Sequence, residues 1–288
     1  MKTVERILTN EGSHWVGDGF PVRTLFSYHR SGPRISPFLL LDHGGPATFP
    51  PATTPRGVDE HPHRGFETVT IAYAGEIEHR DSGGHAGTIG PGDVQWMTAA
   101  SGVVHEEKHS RRFTREGGEL EMAQLWVNLP AAHKMSAPRY QTLTSGTIPV
   151  VEREGARVRV IAGDFDGTAG AASTVTPVNV WDVRLAPGAR LEFDVPAGHH
   201  AMFAVLKGTI GVGRDQVRDG HVVLLSDEPA RVGIASEAGA TVLFLGGEPI
   251  HEPIAGYGPF VMNTEQEIRQ AIADYQAGRM GHLEPRSA

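Results

Sequence analysis

The chain contains no cysteine, which excludes disulfide frameworks, thiolate nucleophiles, zinc ribbons and iron–sulfur clusters. Any metal must then be held by nitrogen and oxygen. No apolar run approaches the roughly 18 residues a membrane helix needs, and charges interrupt the opening MKTVERILTN where a secretion signal would be apolar. These absences predict a soluble, cytoplasmic protein with no membrane partner. A basic excess is missing too: 26 Lys and Arg stand against 34 Asp and Glu, a formal net charge of -8. The overall field opposes polyanions, so direct nucleic-acid binding is not expected.

The 36 glycines and 20 prolines among 288 residues point to many turns. At about 150 residues per domain, the length fits two domains, each able to bury a core. Helical periodicity is scarce before the final stretch, whereas short apolar or alternating runs bounded by Gly, Pro, Asp and Ser recur throughout. Residues 67–74 (ETVTIAYA), 93–98, 122–129, 158–162, 178–185, 201–206, 222–225 and 241–245 all have strand length. Such spacing predicts an all-β protein of sandwiches or barrels.

Residues 131–147 are polar, rich in turn-formers and without an evident β run, so a boundary is expected there. It separates an N-terminal barrel, 1–135, from a C-terminal barrel, 146–288, that includes a terminal helix. A weak internal repeat supports two barrels of one design. Gly75-Glu76-Ile77-Glu78 and Gly92-Asp93-Val94 are echoed by Gly208-Thr209-Ile210-Gly211 and Gly220-His221-Val222. Near the end, Thr264-Glu265-Gln266-Glu267 is a capping-box signature, which predicts a helix with Ile268, Ala271, Ile272 and Tyr275 on one face and Gly278 as its stop. Arg269 and Arg279 are expected to be solvated.

Histidine is unevenly spread: six of the fifteen fall between His61 and His109. His61 and His63 are two apart, so on a strand both rings project from one face, and His105 and Glu107 repeat that spacing. Two such strands inside one barrel converge three imidazoles and one carboxylate on a point. That donor set suits a divalent ion such as Fe(II), Ni, Co, Mn or Zn. His79, His85 and His109 lie in turn-like polar sequence and are expected at the surface. His199 and His200 are adjacent, hence on opposite faces of a strand, and make a poor pair.

The stretches HPHRGFETVT, GPGDVQWMTAASGVVHEE, MAQLWVNLP and EPIAGYGPFVMNTEQEIRQAI together resemble the pirin family of the cupin superfamily. The resemblance implies a bicupin of two cupin-type β-barrels with a C-terminal α-helix, holding one non-haem metal, usually iron, in the N-terminal barrel. The family's ligands then fall on His61, His63, His105 and Glu107. The general cupin pattern also draws attention to Glu67, either as a pocket residue orienting a ligand or as the residue that completes the metal sphere. In the second half, Asp194, Pro196 and His200 stand opposite His61, His63 and Glu67, and Gly233 and Ala235 opposite His105 and Glu107. No ligand set survives there.

The resemblance also implies an activity: quercetin 2,3-dioxygenase-type ring cleavage of a flavonol with O2, with Glu107 as the catalytic carboxylate and Phe66, Trp96, Met97 and Trp126 as candidate pocket walls. The alternative is an iron-dependent regulator that binds transcription factors or metabolic enzymes as protein partners without turnover. A third reading is an ion that staples two strands.

Overall fold

The computed structural model describes residues 1–10, 12–228 and 230–284. Nearly all of its regular structure is antiparallel strand, and the chain divides into two compact units. The first, which we call the histidine unit, holds Ser13–Val22, Gly44–Ser145 and the chain from Ile250 onward. The second, the apolar unit, holds Met1–Gly12, Arg23–His43 and Gly146–Pro249. The strands Phe20–Ser27 and Phe38–Phe49 have one part in each.

Two large sheets, with the small pair Ala255–Tyr257 and Phe260–Met262, make the histidine unit. One runs Gly57–His63, Val103–His109, Ile77–Asp81, Ala86–Ile89 in spatial order. The other runs Arg139–Leu143, Val94–Thr98, Phe66–Ala74, Gly118–Asn128, Phe38–Phe49, Phe20–Ser27, Ser13–Val16. Their inner faces meet over an apolar plug that includes Ile77 and Ile89 from the first and Phe20, Ala72 and Met122 from the second. Alternation explains which side chains enter: along Ile77–Asp81, Ile77, His79 and Asp81 are buried while Glu78 and Arg80 are only partly covered. The run Arg139–Leu143 lies in the segment expected to lack a strand. It pairs with Val94–Thr98, and Tyr140, opposite Met97, supplies an inward-facing ring that the polar composition concealed.

In the apolar unit the main core cluster is hydrocarbon and aromatic, with Arg159 and Asp182 paired at 2.8 Å as a buried ion pair. Trp181 stacks on Phe244 at 4.4 Å between ring centroids, and Phe193 meets Phe244 edge to face at 4.8 Å. Gly208 and Gly220 have φ of +83° and +74°, matching Gly75 and Gly92 at +77° and +89°, so the repeat seen in the sequence is a repeat of turn conformations.

The terminal helix spans Glu265–Gln276, and both hydrogen bonds of the capping box form: Thr264 Oγ1 accepts from the Glu267 amide at 3.2 Å, and Glu267 Oε2 accepts from the Thr264 amide at 2.8 Å. Ile268 and Ala271 are buried, while Tyr275 is 38% exposed. The sequence grouped this helix with residues 146–288, but it belongs to the histidine unit. Its buried face packs with Val104, Phe260, Met262 and Met280. Just ahead of it, Phe260 bridges Arg64, and the Val261 amide donates to Arg64 O at 3.0 Å. Glycine is required at the neighbouring position, since Gly65 has φ +92° and a Cβ there would lie 2.0 Å from Val261 O. Arg279 is not merely solvated, because it pairs with Asp274.

Candidate metal centre

The strands Gly57–His63 and Val103–His109 are direct antiparallel neighbours, with His105 opposite His61 and Val103 opposite His63. Between His105 and Glu107 the register shifts: Glu107 faces Val58, so Gly57–His63 carries one extra residue there. Such a bulge re-aims local groups. Here it lies beside Asp59, whose carbonyl oxygen is 2.7 Å from His61 Nδ1.

His61, His63 and His105 converge, each offering one ring nitrogen within 4.8 Å of the others. Ring centroids are 4.9 Å apart for His61–His63, 4.2 Å for His61–His105 and 4.9 Å for His63–His105. His61 Nδ1 donates to Asp59 O and His63 Nδ1 to Pro259 O at 3.3 Å. A neutral imidazole with its proton on Nδ1 has its lone pair on Nε2, so both rings are set to offer Nε2. His105 Nε2 is buried with no hydrogen-bond partner among the described residues. An orphaned buried nitrogen costs about 1–3 kcal/mol unless something meets it. Burial, then the neighbouring His61, holds His63 and His105 well below the ordinary histidine range, which keeps their rings in the neutral form a metal requires. The cluster therefore fits a divalent ion in donor chemistry and protonation.

Glu107 is buried on the same strand face as His105 but is not part of the three-nitrogen group. Its carboxylate reaches across to the other sheet: Oε1 accepts from Thr70 Oγ1 at 3.1 Å and Gln95 Nε2 at 3.3 Å, and Oε2 from Gln124 Nε2 at 2.9 Å. Aromatic side chains wall the same region. Phe66 lies 5.1 Å from His63 and 4.3 Å from Trp126, and Trp126 lies 5.5 Å from His63, all between ring centroids.

Strand parity corrects two sequence expectations. Thr70 touches Glu107 and Phe66 touches His63, so the even-numbered residues of Phe66–Ala74 face the histidines over this stretch. Glu67 therefore points to the opposite face, where Thr98 donates to its Oε1 at 2.7 Å. Burial raises its pKa against that hydrogen bond. Trp96, opposite Val69, shares that outer face, whereas Met97, opposite Thr68, shares the inner one.

Two histidines expected at the surface are buried. His109 is enclosed by Phe20, Phe49 and Phe113 and donates through Nε2 to Gly19 O at 3.0 Å. His79 is fully buried, and its Nδ1 lies 3.3 Å from His105 Nδ1. The signal that could have found it is parity with Ile77: an apolar residue two positions before His79 marks its face as inward. His85 is partly exposed and contacts Asp81. Among the described residues no such cluster of metal-ligating groups lies in the apolar unit, and no helix is long and apolar enough to cross a membrane.

Two cupin-type β units, one of them carrying a buried three-histidine cluster, define a bicupin. The pirin model matches residues 19–127 and the pirin C-terminal cupin model residues 180–281. The chain is 56% identical over 282 residues, 97% of its length and 98% of the other's, to a Pseudomonas aeruginosa protein named "Putative quercetin 2,3-dioxygenase". It is 36% identical over 256 residues to human pirin, covering 86% of this chain and 83% of that one. Among solved structures, the 1.88 Å crystal structure of quercetin 2,3-dioxygenase from Acinetobacter baumannii matches with a TM-score of 0.95 and 49% identity, over 98% of this chain and 99% of that one. The chain belongs to the pirin family.

Proposed function

We propose that this protein is a metal-dependent dioxygenase of the quercetin 2,3-dioxygenase type, with His61, His63, His105 and Glu107 as the ligand set and a flavonol and O2 as substrates. The observation that carries the reading is the pairing of three convergent imidazoles with a buried carboxylate on the strand face of His105. Fe(II) is the metal we assign, with Ni, Co, Mn and Zn compatible with the same nitrogen and oxygen donors. When bound, a divalent ion supplies Lewis acidity that favours the deprotonated form of a coordinated hydroxyl.

The chain's own residues do the rest. Phe66 and Trp126 offer aromatic faces beside His63 against which a planar flavonol can rest. Glu107 takes the flavonol hydroxyl proton at a carboxylate oxygen. Thr70 and Gln95 donate to one oxygen of that carboxylate and Gln124 to the other, which fixes its orientation. The carboxylate is thus suited both to complete the ligand set and to act as base.

Adding quercetin without oxygen to the purified, metal-analysed protein should shift the flavonol absorbance, and aeration should then consume O2 and release carbon monoxide. Glu107→Gln should retain much of the metal but lose turnover by about 100-fold or more. Unchanged absorbance and no oxygen uptake with a fully loaded site would reject the proposal in favour of a regulator without turnover.

A further inference from the structure

We propose that Asp81 and His79 form a polar relay that fixes the tautomer of His105, so that His105 turns an unprotonated Nε2 toward the histidine cluster. The consequence for metal binding rests on the proposed metal function, but the tautomers belong to the metal-free protein.

The direction of the relay is set at its carboxylate end. Asp81 Oδ1 accepts from the Gly83 amide at 2.8 Å and the His85 amide at 3.0 Å, two groups that can only donate. Burial raises the Asp81 pKa, but hydrogen bonds from His79 and the His85 backbone outweigh it and hold the carboxyl below its usual range. Oδ2 lies 3.3 Å from His79 Nε2. An ionised carboxylate only accepts, so the proton of His79 sits on Nε2 and its lone pair on Nδ1.

Two groups are aimed at that lone pair. Gln95 Nε2 is 3.2 Å from His79 Nδ1 and His105 Nδ1 is 3.3 Å from it. The Gln95 amide is oriented independently, because its nitrogen also donates to Glu107 and its oxygen accepts from Tyr140 Oη at 3.4 Å. With His79 Nδ1 an acceptor, His105 Nδ1 must carry its ring's proton. The lone pair of His105 then lies on Nε2, the very nitrogen left buried without a partner among the described residues. Tyr140 holds the plane of the His79 ring by stacking on it at 4.6 Å and 12°.

A single-atom change should reverse the chain. In Asp81→Asn the Oδ1 position stays pinned by its two backbone amides, which places the new amide nitrogen opposite His79 Nε2. Two donors cannot face each other, so His79 moves its proton to Nδ1, the Gln95 amide turns to set its oxygen opposite that proton in place of its nitrogen, and His105 moves its own proton to Nε2. The ligand nitrogen is then blocked.

The test is long-range 1H–15N correlation of histidine-labelled, metal-free protein, paired with Co(II) titration followed by absorbance. The wild type should show His79 protonated at Nε2 and His105 at Nδ1. Asp81→Asn should show both swapped and bind Co(II) about 10- to 100-fold more weakly. Should Asp81→Asn not fold, His79→Phe keeps the ring and its stack on Tyr140 while removing both nitrogens, and should weaken Co(II) by a similar factor. A wild-type His105 protonated at Nε2, or variants that bind Co(II) like the wild type, would overturn the relay. If the wild type binds no Co(II), the metal reading fails, and the tautomers alone decide this one.

Discussion

Arg64 Nη1 meets Asp274 Oδ2 at 2.7 Å, so the residue beside His63 is fastened to the terminal helix by a buried ion pair. Arg64 Nε also donates to Ser101 O at 2.6 Å, and Gln270 and Arg279 both donate to the second oxygen of Asp274. The Arg64 hydrogen bond, followed by that from Gln270, holds the Asp274 carboxyl well below its usual range. Asp274→Ala leaves the Arg64 charge buried and unmatched, and should lower stability by about 3 kcal/mol in urea unfolding. Because the folded pKa is depressed, this contribution is complete above the unfolded carboxylate pKa and fades as pH falls below it. Wild type and variant should converge in acid.

Lys134 gives a pH slope of the same sign, but in the alkaline range. Its Nζ is buried and donates to Gly65 O at 2.7 Å, Asn128 Oδ1 at 2.7 Å and Val261 O at 3.0 Å. Burial pushes its pKa down to about 7. Between that value and the ordinary lysine value the unfolded chain binds more protons than the folded one, so stability from this group rises with pH, by at most about 1.4 kcal/mol per pH unit. In Lys134→Met that slope should be absent, which chemical denaturation at a series of pH values from 7 to 10 would show.

Metal addition should act on stability as well as on activity. Nickel or cobalt at about 100 times its Kd should stabilise the wild type by about 2.7 kcal/mol. His63→Ala should lose most of that gain, and His199→Ala, outside the cluster, should keep it. Thermal unfolding with and without the ion makes the comparison.

Gly65→Ala should be worse than an ordinary glycine replacement. The positive φ is unfavourable for alanine, and the new Cβ collides with Val261 O, the carbonyl that Lys134 also uses. A loss of about 2 kcal/mol or more is expected, with weaker metal retention because Pro259 O, two residues away from Val261, is the acceptor for His63. Circular dichroism melts and metal analysis on the same preparations would check both.

Much of this was legible in the residues. Alternation located the strands from Phe66–Ala74 through Ala240–Gly247, and i, i+2 spacing put His61, His63 and His105 on inward faces. The capping box located the helix. Parity was lost where the chain turns at Arg64-Gly65, so Glu67 could not be placed by counting from His63. The environment of His79 was concealed by its polar neighbours, and the bulge that aims the Asp59 carbonyl has no marker in composition. Long-range returns were illegible as well: nothing near Phe260 announces that it will bridge Arg64, some two hundred positions earlier.

The exchange of end segments governs how the molecule can be made. Residues 1–12 complete one unit, and the chain from Ile250 onward completes the other, so a cut between Ser145 and Gly146 yields two fragments that each lack a piece of themselves. During synthesis the histidine strands emerge early, yet the carbonyl that steadies His63 and the acid that neutralises Arg64 arrive only with the closing residues. The histidine unit is therefore completed after the apolar one, and a ribosome that stalls short of the terminal helix releases a histidine cluster without its support.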